Sequence, residues 1–349
     1  MLFDCDPPPH LVGIARLAAD SEILEAKRRV EYLELETRRF IGRGSGRMRS
    51  IWTLNPYRGC EFGCKYCYAR YAHEFMELRD PELFETKIYV KQFREDAFRA
   101  EVRKLKAGST IWIGTATDPY QPAERRFQLT RRILQIFAGE RALDLGLTTK
   151  SDLVARDAKL LAEIGRRNTV GVHLTITTLD DGLARLLEPR APRPSLRLEA
   201  LRKLTGAGVR VSVLAHPVMP LINDSEESLG AVCRAAAENG ASSFSAAPLF
   251  LKPCAQQVFL PFLEERFPHL LRRYREPFEK SAYLQGAYPE MIKERVQTIR
   301  SRYRMKTRET PEWPEPDQLE LFSESRAARS QERAEIAQAS TLQRKVRSL

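Results

Sequence analysis

The chain lacks the features of a membrane-spanning or disulfide-stapled protein. No run among its 349 residues approaches the roughly 18 consecutive apolar residues of a transmembrane helix. The opening MLFDCDPPPH is acidic and broken by proline where a secretory leader is basic and then apolar. Six cysteines are too few for a disulfide scaffold. With 43% apolar and 30% charged residues, the composition excludes a wholly disordered or collagen-like chain. These absences predict a soluble, cytoplasmic protein with no membrane partner.

Positive charge is in surplus. Lys and Arg number 57 against 46 Asp and Glu, a formal net charge of +11, which favours an anionic partner without bearing on fold. Residues 1–47 are expected to form a helical N-terminal arm, rich in Ala, Leu, Glu and Arg over 14–39. It closes on a glycine-rich connector, Gly42-Arg43-Gly44-Ser45-Gly46, with no strand before it and no helix after it to make a dinucleotide fingerprint. From 48 to 255, β-branched runs at 51–54, 87–90, 110–114, 143–148, 170–177, 209–215 and 243–247 alternate with amphipathic stretches at 93–106, 124–138, 153–166, 197–206 and 225–238. That alternation predicts an α/β fold with parallel strands and right-handed crossovers. Seven candidate strands favour an incomplete barrel, with its chemistry at the strand carboxyl ends. Residues 256–308 read as a basic helical C-terminal extension; 264–308 carry 12 Lys and Arg against 6 Asp and Glu. Residues 309–349 read as a disordered tail of prolines, charges and small polar residues.

Three cysteines crowd together in Asn55-Pro56-Tyr57-Arg58-Gly59-Cys60-Glu61-Phe62-Gly63-Cys64-Lys65-Tyr66-Cys67-Tyr68, directly after the first barrel strand. Thiolates at this C-x3-C-x2-C spacing can hold three corners of a cubane iron–sulfur cluster and leave the fourth iron open to a ligand, as catalytic metal sites do. The alternative is a zinc knot, for which His73 is the nearest fourth ligand. Cys233 and Cys254 read as buried packing residues.

The triad resembles that of the radical S-adenosylmethionine (SAM) superfamily, in particular its spore photoproduct lyase-like (DNA repair photolyase-like) branch. An aromatic, Tyr66, precedes the last cysteine as the family prefers. The likeness extends to the segment from Gly114 to Glu124, to Thr149-Lys150-Ser151 with Arg156-Asp157, and to Glu188-Pro189-Arg190-Ala191-Pro192. It implies an incomplete (β/α)6-type TIM barrel of the radical SAM kind, carrying the N-terminal arm and C-terminal extension. It also implies a [4Fe–4S] cluster on Cys60, Cys64 and Cys67, and SAM as second cofactor, cleaved reductively to a 5′-deoxyadenosyl radical. Thr115, Ala116 and Thr117 would meet the SAM amino group, Lys150 its carboxylate and Thr175 and Thr177 its ribose, with Tyr66 beside the adenine. Tyr66 and Tyr68 match tyrosines that relay hydrogen in the lyases, and a flavodoxin or ferredoxin is the implied electron donor. One departure stands out: the lyases carry a catalytic cysteine where this chain has Thr115, and an alkyl hydroxyl is a far poorer hydrogen-atom donor than a thiol. Cys254 is the alternative thiol.

The tail holds Gln318-Leu319-Glu320-Leu321-Phe322, similar to the peptide by which bacterial replication and repair proteins bind the sliding clamp. Leu319, Leu321 and Phe322 would supply the apolar contacts and Gln318 the register; the alternative is a small helix docking back on the barrel. With the basic surplus, this favours a radical SAM enzyme acting on nucleic acid, DNA first, in a repair-like role. The same barrel and triad would serve modification of RNA, a peptide or a metabolite. A non-catalytic, metal-stabilised module binding DNA or the clamp is the third reading.

Overall fold

The computed structural model describes residues 11–27, 29–44 and 50–306. The chain divides into two units, 1–309 and 310–349, and every described residue belongs to the first. The expected tail and its 318–322 motif, with Gln318, Leu319, Leu321 and Phe322, lie outside the described residues.

The N-terminal segment departs from the expected helical arm. Among its described residues only Gly13–Ala19 is helical; β1 (Ile23–Lys27) and β2 (Val30–Leu35) follow as an antiparallel hairpin. The reason is tertiary. Tyr32 and Leu35 of β2 are buried, and β2 pairs in parallel with a later strand, so burial and pairing override a composition that favours helix. The glycine-rich connector is also partly strand: β3 (Ile41–Arg43) pairs antiparallel with β4 (Trp52–Leu54), and the Arg43 guanidinium lies 3.8 Å from the centroid of the Trp52 ring.

The remaining strands are β5 (Tyr57–Arg58), β6 (Lys87–Lys91), β7 (Thr110–Ile113), β8 (Asp144–Thr149), β9 (Thr169–Thr175), β10 (Arg210–Val218) and β11 (Ser243–Pro248). Among the described residues they make a seven-stranded sheet, ordered β11-β10-β9-β8-β7-β4-β3, and a four-stranded sheet, ordered β1-β2-β6-β5. Within the seven-stranded sheet the pairings β4-β7, β7-β8, β8-β9, β9-β10 and β10-β11 are all parallel, and helices occupy the crossovers, as in a partial TIM barrel. The 87–90 run, expected in the barrel, instead joins the smaller sheet. Parallel strands covered on both faces read as near-continuous apolar runs. Val172, Leu174, Val211, Val213 and Ala215 are accordingly fully buried, each large side chain contributing about 1.5–3 kcal/mol by leaving water.

The expected helix over 124–138 is two, Ala123–Phe127 and Leu129–Phe137, broken at Gln128 with φ 49°. Buried Glu124 explains the break. Its carboxylate accepts the Thr130 and Arg131 backbone N–H groups, satisfying otherwise orphaned donors at the start of the second helix.

The chain after 255 is helical, as expected, and its helices pack on the rest of the described residues. Helix Pro253–Arg266 begins before that boundary. Helix Ala287–Arg302 buries Ile292, Val296 and Ile299 in the main barrel core. Between them, helix Leu271–Lys280 contributes Tyr274 and Phe278 to a second core, shared with Cys60, Phe62, Cys64 and Tyr66. Helices Pro253–Arg266 and Leu271–Lys280 therefore share a core with the cysteine loop. Among the described residues, no helix is long and apolar enough to cross a membrane.

Candidate active site and cofactor pocket

The cysteine loop follows β5 and carries two glycines with left-handed backbone, Gly59 and Gly63. Gly59 has φ 82° and Gly63 φ 66°, a region L side chains rarely adopt. A Cβ on Gly59 would stand 2.8 Å from the Lys87 carbonyl oxygen, and one on Gly63 2.6 Å from Arg190 Nη2.

Three segments hold the loop between and around those glycines. From 84–87, the Phe84 carbonyl accepts the Cys60 N–H at 2.8 Å. From the end of β7, the Thr117 hydroxyl donates to the Gly59 carbonyl at 2.6 Å. Gln121, fully buried, donates to that carbonyl through Nε2 and accepts the Glu61 N–H, both at 3.0 Å. From 187–190, the Leu187 carbonyl accepts the Lys65 N–H at 2.9 Å, and Arg190 Nε donates to the Glu61 carbonyl. Arg70, 2% exposed, reaches the Cys64 carbonyl at 3.1 Å and pairs with Glu85.

All three cysteines, with Tyr68, Thr115, Thr117, Asp118, Thr149, Lys150 and Thr175, line one pocket at the carboxyl ends of β7, β8 and β9. Burial raises all three thiol pKa values; Asp118, Cys64 and Cys67 push Cys60 further, while Lys150 pulls Cys64 back and Arg70 pulls Cys67 back. Such thiols stay neutral unless metal cations compensate the thiolates. The donor set therefore fits an iron–sulfur cluster at three corners, facing a pocket with charged and hydroxyl groups. It does not fit a zinc knot. His73 is turned to the 84–89 segment, where its Nε2 donates to the Lys87 carbonyl at 3.0 Å and its ring meets Phe84 and Tyr89 edge-on. Burial lowers its pKa to about 4.

The other singled-out residues separate into two groups. Thr115, Lys150, Thr175 and Tyr68 stay at the pocket. The Thr115 hydroxyl accepts from Asn55 Nδ2 at 3.0 Å, and the Ala116 N–H donates to Asn55 Oδ1 at 2.8 Å. The Tyr68 hydroxyl donates to the Thr115 carbonyl at 2.7 Å. Asp118 ties two strand ends together by accepting from the Thr149 hydroxyl at 2.6 Å and the Lys150 N–H at 2.7 Å. Thr117 also lines the pocket, with its hydroxyl donating to the Gly59 carbonyl, whereas Thr177 lies beyond the end of β9 with its hydroxyl 3.1 Å from Glu188 Oε1. Tyr66 is buried and donates to the same carboxylate. The Cys254 sulfur lies 3.8 Å from the Tyr68 carbonyl oxygen, and Cys233 is core.

Glu188 organises this second group. Its carboxylate is fully buried, paired with Arg197 and bonded to Tyr66 and Thr177. Burial works to raise its pKa, but Arg197 and Lys150 hold it below the ordinary range. Burial likewise opposes the charge on Lys150, yet Cys64 and Glu188 carry its pKa above that of an ordinary lysine. Its Nζ lies 5.6 Å from the centroid of the Tyr66 ring. Asn55, Gln121 and Arg197 are the site residues that the reading of the sequence missed. Arg197 left a signal: it shares the apolar face of helix Pro194–Gly206 with Ala200, Leu201 and Leu204, where a cation needs a buried partner.

The family described as the Radical SAM superfamily matches residues 54–230. The chain belongs to the radical SAM superfamily. It is 33% identical over 267 residues to the uncharacterized protein Rv2578c of Mycobacterium tuberculosis, covering 76% of this chain and 78% of that one. To the uncharacterized protein MJ0683 of Methanocaldococcus jannaschii it is 31% identical over 179 residues, or 51% and 64% of the two chains. Its fold is similar to that of a spore photoproduct lyase mutant solved with bound AdoMet and dinucleoside spore photoproduct, with TM-score 0.57, 16% identity, and coverage of 78% and 79%. As a radical SAM enzyme the chain uses a [4Fe–4S] cluster and SAM, which replaces the zinc reading.

The buried pair generates a stability test. Glu188→Ala leaves the Arg197 guanidinium, 1% exposed, without its carboxylate and is expected to cost about 3–5 kcal/mol in anaerobic urea unfolding. Glu188→Gln combined with Arg197→Met is expected to cost less than half as much. A Glu188→Ala protein as stable as wild type would show that the network does not hold the site.

Proposed function

We propose that this radical SAM enzyme acts on nucleic acid, DNA in the first place, in a repair-like reaction in the cytoplasm. Cys60, Cys64 and Cys67 would hold the cluster, with SAM bound in the pocket they line. Lys150 meets the SAM carboxylate, Thr115 and Ala116 present acceptors to its amino group, and Thr175 serves its ribose. When bound, cluster and SAM together supply a hydrogen-abstracting 5′-deoxyadenosyl radical. The chain's own residues position and shield it: Thr117 and Gln121 fix the loop, Glu188 holds Tyr66, and the C-terminal helices exclude water from one side. Tyr68, with its hydroxyl at the pocket, is placed to relay hydrogen between cofactor and substrate. Thr115 at the position of the lyase thiol makes the final hydrogen donor a different group from theirs.

One observation carries the nucleic-acid reading. Helix Leu271–Lys280 packs Tyr274 and Phe278 into the core it shares with the cysteine loop and leaves Arg272, Arg273, Arg275 and Lys280 exposed beside Glu276 and Glu279, with Arg272 paired to Glu276, so that its solvent face keeps a surplus of positive charge. The dinucleoside lesion carried by the similarly folded lyase supports the same substrate class. The motif with Gln318, Leu319, Leu321 and Phe322 adds a sliding clamp as protein partner, tethering the enzyme to replicating DNA.

Oligonucleotide binding measured across a salt series is expected to weaken as a straight line of log affinity against log salt, the signature of released counterions. Affinity independent of salt, or no binding, would overturn the reading. Leu321→Ala with Phe322→Ala is expected to abolish co-purification with the clamp; undiminished capture would show that the motif does not bind it.

A further inference from the structure

A ladder of aromatic rings leaves the cofactor pocket and belongs to none of the apolar cores. Tyr68, Tyr71 and Phe75 follow the cysteine loop at the i, i+3, i+7 spacing that puts side chains on one helical face. Tyr71 stacks on Tyr68 at 6.3 Å between centroids and 19° between planes, and Phe75 meets Tyr71 edge-on at 5.8 Å. In the other direction Tyr68 meets Phe250 at 5.7 Å, and Phe250 meets Tyr283 at 4.5 Å. Phe250 follows β11, and Tyr283 pairs with it across an antiparallel bridge. Segments far apart in sequence thus align five rings, anchored at the pocket by the Tyr68 hydroxyl on the Thr115 carbonyl.

Burial does not explain them. Phe75 is 63% exposed, Tyr283 54% and Tyr68 40%. Contiguous exposed apolar surface of this kind marks a binding site. Its chemistry is specific: flat π-faces, with the Lys252 ammonium 3.9 Å from the Tyr71 ring centroid adding positive charge at the rim. Planar, anionic-backbone ligands match both features. Nucleobases stack on such rings whatever their sequence, and an enzyme that must reach a base atom takes that base out of the duplex stack.

We propose that Phe75, Tyr71, Tyr68, Phe250 and Tyr283, with Lys252, form a stacking platform for unpaired nucleotides that delivers one base to the pocket. Resting on the nucleic-acid reading above, it narrows the substrate to single-stranded or locally opened nucleic acid. The test uses the full-length, anaerobically reconstituted protein and fluorescence anisotropy with labelled single-stranded and duplex oligonucleotides. Single strands are expected to bind more tightly than duplex. Phe75→Ala and Tyr283→Ala, with wild-type circular dichroism, are each expected to weaken single-strand binding at least about 5-fold, since a stacked base is worth about 1–3 kcal/mol. Phe75→Tyr, which keeps the ring, and Leu221→Ala, an exposed apolar change outside the ladder, are expected to bind like wild type. Duplex preference, or single-strand binding indifferent to loss of the rings, would overturn the platform and leave the nucleic-acid reading standing. Failure to bind either oligonucleotide, with capture of an unstructured aromatic-rich peptide instead, would overturn both.

Discussion

Everything at this site depends on how the backbone of residues 59–67 is held. A loop carrying three soft ligands is useful only if its sulfurs are presented in one arrangement, and here main-chain groups do the holding. The Gly59 carbonyl takes two donors from the β7 end. The N–H groups of Cys60, Glu61 and Lys65 are taken by Phe84, Gln121 and Leu187, three segments distant in sequence. Functional groups placed this way need little reorganisation when a cofactor arrives.

The barrel supplies those three segments as a matter of topology. Parallel strands bring the residues after β7, β8 and β9 to the same rim, so Thr117, Lys150 and Thr175 converge without being near one another in the chain. Buried charge is the cost of this arrangement. Glu188 with Arg197, and Glu124 with Arg156, are ion pairs in which the carboxylate is fully buried. Desolvation makes such pairs poor sources of net stability, and their placement beside the loop and at the 124–131 helix break suits a role in specifying geometry. The C-terminal helices close the other side, joining Phe259, Phe262 and Tyr274 to the loop's own Phe62 and Tyr66 in one core.

Much of this was legible before any coordinates. The barrel strands announce themselves as β-branched runs because both faces are buried, as in Thr169–Thr175, and the cysteine spacing alone singles out the loop. The N-terminal hairpin was not legible. Its Leu, Glu, Ala and Arg content speaks for helix, and only non-local pairing of β2 with β6 overrides it. The partners of hydroxyls were equally hidden. Thr117 and Thr177 read as cofactor contacts from their place in the chain, but the groups they bond, Gly59 and Glu188, lie 58 and 11 residues away. Gln121 is invisible for the same reason, since nothing in a Tyr-Gln-Pro turn reveals that the amide bridges two backbone groups of another loop.

The chemistry of the site rests on Cys60, Cys64 and Cys67 holding a cluster that would bind SAM in the pocket they line. Its most direct test is electron paramagnetic resonance of the anaerobically reconstituted, reduced protein with and without SAM, alongside iron analysis. The prediction is about four irons per chain, a reduced-cluster signal that changes when SAM is added, and loss of both iron and signal in Cys64→Ala. A signal indifferent to SAM, or full iron retained without Cys64, would contradict it.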